Sequence, residues 1–293
     1  MTERNIDIII PTYHRSKLLL ERLPSYFNQK EAKSIFVIDS GYNTDTEKMI
    51  ENIKEKSPIP IFYYRFPKHE VQQVCKNFGV MQGKAPYIFI GEDDLELAEN
   101  HFSILLETLL RRDVDIVGGR RVYIRDKETQ EKALGNASTY GKIFYTVPFE
   151  AYFENLFENE IIVPYLHSNV LIKRDIFDSV QYDSRYKGNA FREELDFYLG
   201  CQRIGKKMLA TPFTTCFHLK SSRKKGSGSQ IARLQYEFYV WLNTIKCFWK
   251  NSDVFRNNFQ MKIPLLYGLA GLFARYTNGL TRRLRKYFRY GKN

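Results

Sequence analysis

Acidic residues all but disappear from the last quarter of this 293-residue chain. From Leu219 to Asn293 there are 16 lysines and arginines against two acids, Glu237 and Asp253. Met1 to His218 carries 29 basic residues against 31 acidic ones, so the net charge of +12 comes entirely from the tail. Such asymmetry sets a near-neutral body beside a segment suited to an anionic surface. Cysteine is scarce as well. The four, Cys75, Cys201, Cys216 and Cys247, show no CxxC pairing. That argues against a disulfide framework or a zinc site and leaves the reduced thiols of a cytosolic protein. No apolar run reaches the ~18 residues needed to cross a bilayer; the longest extends from Ile263 to Ala274. No signal-peptide pattern is visible, because a strand-like run begins at Ile6 behind a polar start. RNP, KH and zinc-finger signatures are missing, so the positive charge is not read as a nucleic-acid site. Internal repeats are absent, and low complexity is confined to Lys220–Ser229, KSSRKKGSGS.

What is present can fill a core: 43% of the residues are hydrophobic and 15% aromatic, enough for one large domain, with or without an appendage. The stretch around which the chain is organised runs from Tyr87 to Leu95, YIFIGEDDL. Four residues of buried-strand character lead straight into three acids. Such a strand wants apolar cover on both faces, whereas adjacent carboxylates repel and cannot be buried unpaired. An acid cluster just outside the carboxyl end of a central strand satisfies both demands. Open α/β sheets bind their ligands at that edge, and hard oxygen donors suit Mg²⁺ or Mn²⁺. An acidic loop that merely caps the following helix is the plainer alternative.

The flanking pattern predicts βαβ units. Strands are expected at Ile6–Ile10, stopped by Pro11, and at Ser34–Ile38, Pro60–Tyr64 and Tyr87–Gly91. Helices are expected at Lys17–Phe27, from a capping box at Thr44–Glu47 towards Lys56, and at Val71–Met81. Leu97–Arg111 reads as helix. Beyond it come shorter strands of mixed direction, at Asp115–Arg125, Ile143–Val147, Ile161–Val163, Val170–Lys173, Lys207–Ala210 and Thr214–His218. Helices are expected at Glu193–Ile204, Gln230–Trp249 and after Pro264, with Thr277-Asn278-Gly279 as a candidate break. The domain reading is a body over 1–229 and a helical, basic extension over 230–293.

Five motifs in order resemble those of the family 2 glycosyltransferases. They are Ile10-Pro11-Thr12-Tyr13-His14-Arg15, Val37-Ile38-Asp39-Ser40, Lys76-Asn77-Phe78-Gly79, Gly91-Glu92-Asp93-Asp94 and Phe191-Arg192-Glu193-Glu194-Leu195-Asp196. They are followed by Cys216-Phe217-His218, and the likeness covers Ile6 to His218. The resemblance implies a GT-A fold, α/β with a mostly parallel central sheet flanked by helices, here with a C-terminal helical extension. It also implies an inverting enzyme that uses a nucleotide-diphospho-sugar and a divalent metal, Mn²⁺ or Mg²⁺. Asp39 then faces the nucleobase, Tyr13 lies against its ring, and Pro11 and Thr12 edge it. Lys76 and Asn77 reach ribose or phosphate. Alternation puts Glu92 and Asp94 on one side: Asp94 as metal ligand, Glu92 towards ribose or a metal-bound water, Asp93 supporting the turn or the ribose. Glu92 departs from the pattern, since the family usually has Asp there. His218 is the second metal candidate, and an imidazole beside carboxylates suits Mn²⁺. Arg223, with Lys224 and Lys225, sits on a loop able to close over a diphosphate. Glu194, the second acid of the pair, is the expected catalytic base. His14, His69, His101 and His167 have no partner that the sequence identifies.

The expected acceptor is a glycan or lipid-linked glycan, at the cytoplasmic face of a membrane. Two other readings compete. A sugar-nucleotide pyrophosphorylase of related fold would want a Gly-rich basic loop after the first strand, which PTYHR is not. A non-catalytic basic surface binder leaves the acids unexplained. In the tail, helical spacing puts Arg275, Arg282, Lys286 and Arg289 on one side of the stretch from Pro264 to Tyr290. Leu269, Phe273, Tyr276, Leu280, Leu284 and Tyr287 fall on the other. That is the pattern of a basic amphipathic helix lying on an anionic membrane. A helix docked on the protein's own core, or a dimer contact, would use the same face.

Overall fold

The computed structural model describes residues 4–41, 45–125, 128–137, 140–145, 149–219 and 233–290. Thr44 of the expected capping box and the loop Lys220–Ser229, with Arg223, lie outside them. The first half alternates as expected: β1 (Ile6–Thr12), α1 (Ser16–Phe27), β2 (Ala32–Asp39), α2 (Asp45–Lys54), β3 (Ile61–Arg65), α3 (Gln72–Gln82) and β4 (Tyr87–Ile90). Next come β5 (Leu95–Leu97), α4 (His101–Arg111), β6 (Ile116–Ile124) and α5 (Gln130–Asn136). A hairpin of β7 (Phe144–Tyr145) and β8 (Glu150–Ala151) leads to β9 (Ile161–Ile162), β10 (Val170–Lys173), α6 (Glu193–Arg203) and β11 (Met208–Leu219). Three helices close the chain: α7 (Arg233–Lys250), α8 (Ser252–Phe259) and α9 (Pro264–Tyr290).

The main sheet has the order β3-β2-β1-β4-β10-β6-β11-β5, with β9 also on β11. β3, β2, β1 and β4 are mutually parallel, as are β6 and β11; β10, β5 and β9 run antiparallel to their neighbours. Strand alternation divides the apolar residues between two cores. Ile6, Ile8 and Ile10 of β1, with Phe89 of β4, face α1 and α4 through Leu19, Leu23, Phe102 and Leu105. Ile9, Ile88 and Ile90 face the opposite layer, where α3, α6 and α8 contribute Cys75, Leu195 and Phe255. Gly79 explains the last residue of its motif: a Cβ there would stand 2.5 Å from Ile9 Cγ2, so only glycine lets α3 approach this closely.

Three local expectations need correction. β1 is not stopped by Pro11 but continues to Thr12, with Pro11 opposite Ile38 and Thr12 opposite Asp39. Pairing with β4 ends at Ile9, so the N–H that proline lacks would face a side with no partner strand. The two short strands at Lys207–Ala210 and Thr214–His218 are one strand, β11, with a register shift between Ala210 and Thr215. Asn278-Gly279 does not interrupt α9, which runs unbroken to Tyr290.

Two of the unassigned histidines are structural. His167 Nε2–H donates to the Gly119 carbonyl at 2.8 Å, and its Nδ1 accepts from Asn169 N–H at 3.1 Å. A proton on Nδ1 would break the second bond. Burial, with the Arg121 charge nearby, lowers His167 to about 3. Burial does the same to His101, also to about 3, where Nδ1 meets Thr214 Oγ1 at 2.7 Å. Both folded values lie below the unfolded ~6.5, so only the unfolded chain takes up these protons as the pH falls. The stabilisation is therefore complete above pH ~6.5 and is lost progressively towards pH ~3. Urea unfolding between pH 7.5 and 4.5 should show stability declining with acid. A His101→Asn/His167→Gln variant should lose up to ~1.4 kcal/mol per pH unit of that slope for each histidine, whatever its absolute stability.

Candidate active site

The chain leaves β4 at Ile90 and turns through Gly91-Glu92-Asp93-Asp94 into β5. β5 pairs antiparallel with the end of β11, setting His218 opposite Leu95, and Leu219 N–H donates to the Asp94 carbonyl at 2.9 Å. This ladder brings residues far apart in sequence into one cluster at the carboxyl edge of the parallel strands, the edge where such sheets bind ligands. His218 Nε2 lies 3.0 Å from Glu92 Oε2 and 3.3 Å from Asp94 Oδ1. One donor atom from each of the three falls within 4.8 Å of the others.

The remaining contacts show how three consecutive acids coexist. Arg15 reaches Asp93 at 2.9 Å and Asp94 at 2.8 Å. Asp93 also accepts from Thr12 Oγ1 at 2.8 Å and so points back into the protein. Glu92 pairs with Arg121 at 3.1 Å and accepts from Ser168 Oγ at 2.6 Å. Tyr26 OH donates to the Glu92 carbonyl at 2.9 Å and pins the turn from below. The electrostatics follow these partners. Burial would raise Glu92, but Arg121 and His218 outweigh it and hold the carboxyl well below its usual range. Burial would likewise raise Asp94, and the His218 hydrogen bond reverses the direction. Asp93 goes the other way: burial and the Asp94 charge push it up to about 6 despite Arg15. His218 is raised, since Glu92 and Asp94 overcome burial and the Arg121 charge.

A divalent cation fits this arrangement. Two carboxylates held ionised and an imidazole nitrogen converge from one side, a donor set suited to Mn²⁺. The other ring nitrogen, His218 Nδ1, is buried without a partner among the described residues. The Glu92 carboxylate, assigned from sequence to ribose or a bound water, stands in the trio itself.

On the neighbouring strands, Asp39 ends β2 and Pro11 and Thr12 end β1, all at the same edge. The buried Asp39 carboxylate accepts from Gly41 N–H at 2.7 Å and from Tyr63 OH at 2.9 Å. Tyr13 lies against His14 and His69, with ring centroids 4.2 and 4.3 Å apart, and His69 Nδ1 meets Ser40 Oγ at 2.8 Å. An aromatic wall thus stands beside the end of β2.

Two assigned side chains turn into the protein. Asn77 was expected at ribose or phosphate, but its amide closes on backbone: Nδ2 donates to Tyr182 O at 2.8 Å, and Oδ1 accepts from Tyr182 N at 3.0 Å. Lys76, expected at the same ligand, is buried 2.6 Å from Glu193 and 3.6 Å from Glu194. Burial would lower its ammonium, but the two carboxylates outweigh that and raise it. Glu193 is fully buried and also accepts from Gln72, whereas the Glu194 side chain remains 30% exposed. Arg192, at the start of α6, is held at φ 71°, a left-handed conformation costly for any residue but glycine. Glu194 contributes to the electrostatics of Arg121, which also faces Glu92, so acid pair and acid cluster belong to one neighbourhood.

Arg121 and Ser168 were missed. Their one sequence signal is Arg120-Arg121, two charges in mid-strand between Gly119 and Val122; nothing marks Ser168.

The architecture is GT-A, an open sheet between helical layers with its acidic cluster at the carboxyl edge. The model of the family described as "Glycosyl transferase family 2" matches residues 7–180, and the chain belongs to that family. Among curated proteins, abequosyltransferase RfbV of Salmonella typhimurium is 26% identical over 202 residues, 64% of this chain and 58% of that protein. The uncharacterized protein y4gI of Sinorhizobium fredii is 23% identical over 256 residues, 85% of this chain and 28% of that one. The chain thus spans little more than half of the first relative and less of the second. Among solved structures, S. aureus TarS 1–349 in complex with UDP-GlcNAc superposes with a TM-score of 0.58 at 11% identity, over 82% of this chain and 66% of that one. The same fragment with UDP gives 0.55 at 10% identity, over 82% and 64%.

Lys76→Met removes the cation beside buried Glu193, a carboxyl that burial and Glu194 already push well above its usual range, and should destabilise the protein by up to about 3–5 kcal/mol. Lys76→Met/Glu193→Gln should recover much of that loss. Thermal melts of the wild type and both variants check it. A fully stable Lys76→Met protein that has lost only nucleotide affinity would return Lys76 to the ligand.

Proposed function

We propose that this chain is a metal-dependent, inverting glycosyltransferase. It moves a sugar from a nucleotide-diphospho-sugar to a hydroxyl of a glycan or lipid-linked glycan. The observation that carries the reading is the convergence of Glu92, Asp94 and His218 at the sheet edge, with the exposed acid of the Glu193–Glu194 pair nearby. RfbV is by name a sugar transferase, and TarS is titled as a complex with UDP-GlcNAc, which supports a nucleotide-sugar donor.

In this reading the nucleobase lies by Asp39 and Tyr13, edged by Pro11 and Thr12. Glu194 takes the proton of the acceptor hydroxyl as that oxygen attacks the anomeric carbon. The bond from that carbon to the diphosphate breaks, and the nucleoside diphosphate leaves with the bonding pair. Attack opposite the leaving group inverts the anomeric configuration. Lys76 and Glu193 hold Glu194 in place from within the core. Mn²⁺ or Mg²⁺, held by Asp94 and His218 with Glu92, would supply positive charge beside the departing diphosphate. Arg223, outside the described residues, is assigned to the same charge. Residues 1–229 form the catalytic body in this scheme. The extension over 230–293 holds it peripherally on the cytoplasmic face of an anionic membrane, through the basic side of α9.

Asp94→Ala should abolish Mn²⁺-dependent donor binding, and His218→Ala should weaken it, both with the fold intact by circular dichroism. Calorimetric titration of UDP with and without Mn²⁺ reads this; unchanged metal dependence in Asp94→Ala removes the site from the scheme.

Glu194→Gln keeps the shape and removes the proton acceptor. Transfer should fall by roughly 10²–10⁴-fold, with nucleotide affinity nearly unchanged. A screen of UDP-, GDP- and dTDP-sugars identifies the donor for that assay. An active Glu194→Gln beside a dead but folded Glu193→Gln would move the base by one residue.

A further inference from the structure

The inner side of α7 belongs to the core: Val240, Cys247 and Phe248 are buried, and Phe248 stacks on Phe255 of α8 with centroids 4.3 Å apart. Its outer side is apolar too. Leu234, Phe238, Trp241, Leu242, Ile245 and Trp249 recur at helical spacing within an arc of about 100°, and all six are exposed, from 39% at Trp241 to 86% at Leu234. No charged residue interrupts that arc. Leu266 and Phe273 of α9 are exposed as well, and α9 packs beside α7, with Tyr276 stacked on Trp241 at 6.1 Å. A soluble protein seldom leaves so continuous an apolar patch without a partner.

Charge decides which partner. Only two acids lie beyond Leu219, and both are engaged: Glu237 with Tyr276 OH, and Asp253 with Arg203 at 2.7 Å. Lys250 is neutralised by Asp183 and Asp196 of the body, but Arg256, Lys262 and Arg275 are exposed, and the extension has no free acid among its described residues. A second copy docked symmetrically would bring two such extensions together, like charge against like. The neighbouring segment Lys220–Ser229 is polar and cationic and offers no apolar cover. An anionic phospholipid surface satisfies both features, since acyl chains receive the apolar arc while headgroups neutralise the cations. Tryptophan favours that interface, and this arc holds both tryptophans of the chain. No helix among the described residues is long and apolar enough to cross a membrane, so the helix would lie in the surface.

We infer that the outer face of α7 inserts into the headgroup region of an anionic bilayer, with α9 alongside it. This rests on the membrane partner proposed above but not on the proposed chemistry. It also moves the apolar contact from α9, where spacing alone had put it, to a helix that fixes its depth through the core.

Because Trp241 and Trp249 are the only tryptophans, intrinsic fluorescence reads insertion directly. The full chain, without donor or metal, is titrated with vesicles of phosphatidylglycerol and phosphatidylcholine, or of phosphatidylcholine alone. The expected result is a blue shift with the anionic vesicles only, quenching by brominated acyl chains, and reversal as salt rises. Phe238→Glu/Ile245→Glu should weaken partitioning by about tenfold or more, with an unchanged far-UV spectrum. Vesicle binding without change in tryptophan emission would overturn the inference and leave α9 cations as the sole contact. No vesicle binding, with a concentration-dependent dimer that the same substitutions dissociate, would assign the face to a second copy. Absence of both would overturn it outright.

Discussion

Three consecutive carboxylates, all largely withdrawn from water, repel one another, and much of the structure around β4 answers that repulsion. Arg15 comes from the β1–α1 turn, Arg121 from the middle of β6 and His218 from the end of β11; each meets one or two of the acids. The cost of burying an ion is several kcal/mol and is recovered only where partners are close and remaining hydrogen-bond sites are filled. Thr12 and Ser168 fill such sites. β1, β6 and β11 thus meet at one edge for an electrostatic reason as well as an apolar one. The outcome is asymmetric: Glu92 and Asp94 stay ionised and face His218, while Asp93, the most weakly compensated, rises to about 6 and turns inward. Two ionised carboxylates beside an imidazole make a donor set that a divalent cation fits.

The same logic governs the acid pair of α6. Glu193 and Glu194 are neighbours with opposite fates. Glu193 is sealed against Lys76 and Gln72, whereas Glu194 is left at the surface of the same cation. An acid at a helix start is commonly explained by the helix dipole alone. Here a buried ammonium from α3, in the same layer, distinguishes the two. It holds α3 to α6 while leaving one carboxylate available, which is the division of labour a positioned base requires.

These features differ in how far the sequence discloses them. β1 to β4 and their helices were legible because each is signalled locally, by the Ile-rich run Ile6–Ile10 and by helical period in α1 and α3. The cluster Glu92–Asp94 was legible because adjacent carboxylates behind an apolar strand admit few explanations. β5 was not, being three residues absorbed into the run before α4, and it exists only because β11 is there to pair with it. The single strand β11 was read as two because a register shift interrupts its alternation. Lys76 and Asn77 turn inward for a related reason. Their motif gives position on a helix, but which way the helix faces is set by α6 and Tyr182, more than a hundred residues away. Arg121 and Ser168 act through sheet neighbours and carry almost no local signature.

The extension shows the limit from the other side. Periodicity in α9 is genuine, yet the structure uses part of its apolar side on α7, with Tyr276 against Trp241 and Glu237. For α7 the pattern predicts a helix over Gln230–Trp249 but no face, because it is apolar on two sides and a helical period cannot say which side the core takes. Phe248 and Phe255 settle that by joining Phe149 in the core beneath α6, which forces Trp249 and Phe238 outwards. A helix amphipathic against its own protein can present a second apolar face only if something outside covers it. The tail's charge selects a cover of opposite sign. Apolar exposure and charge asymmetry, each ambiguous alone, therefore constrain one another: the face demands a partner, and the cations restrict what that partner can be.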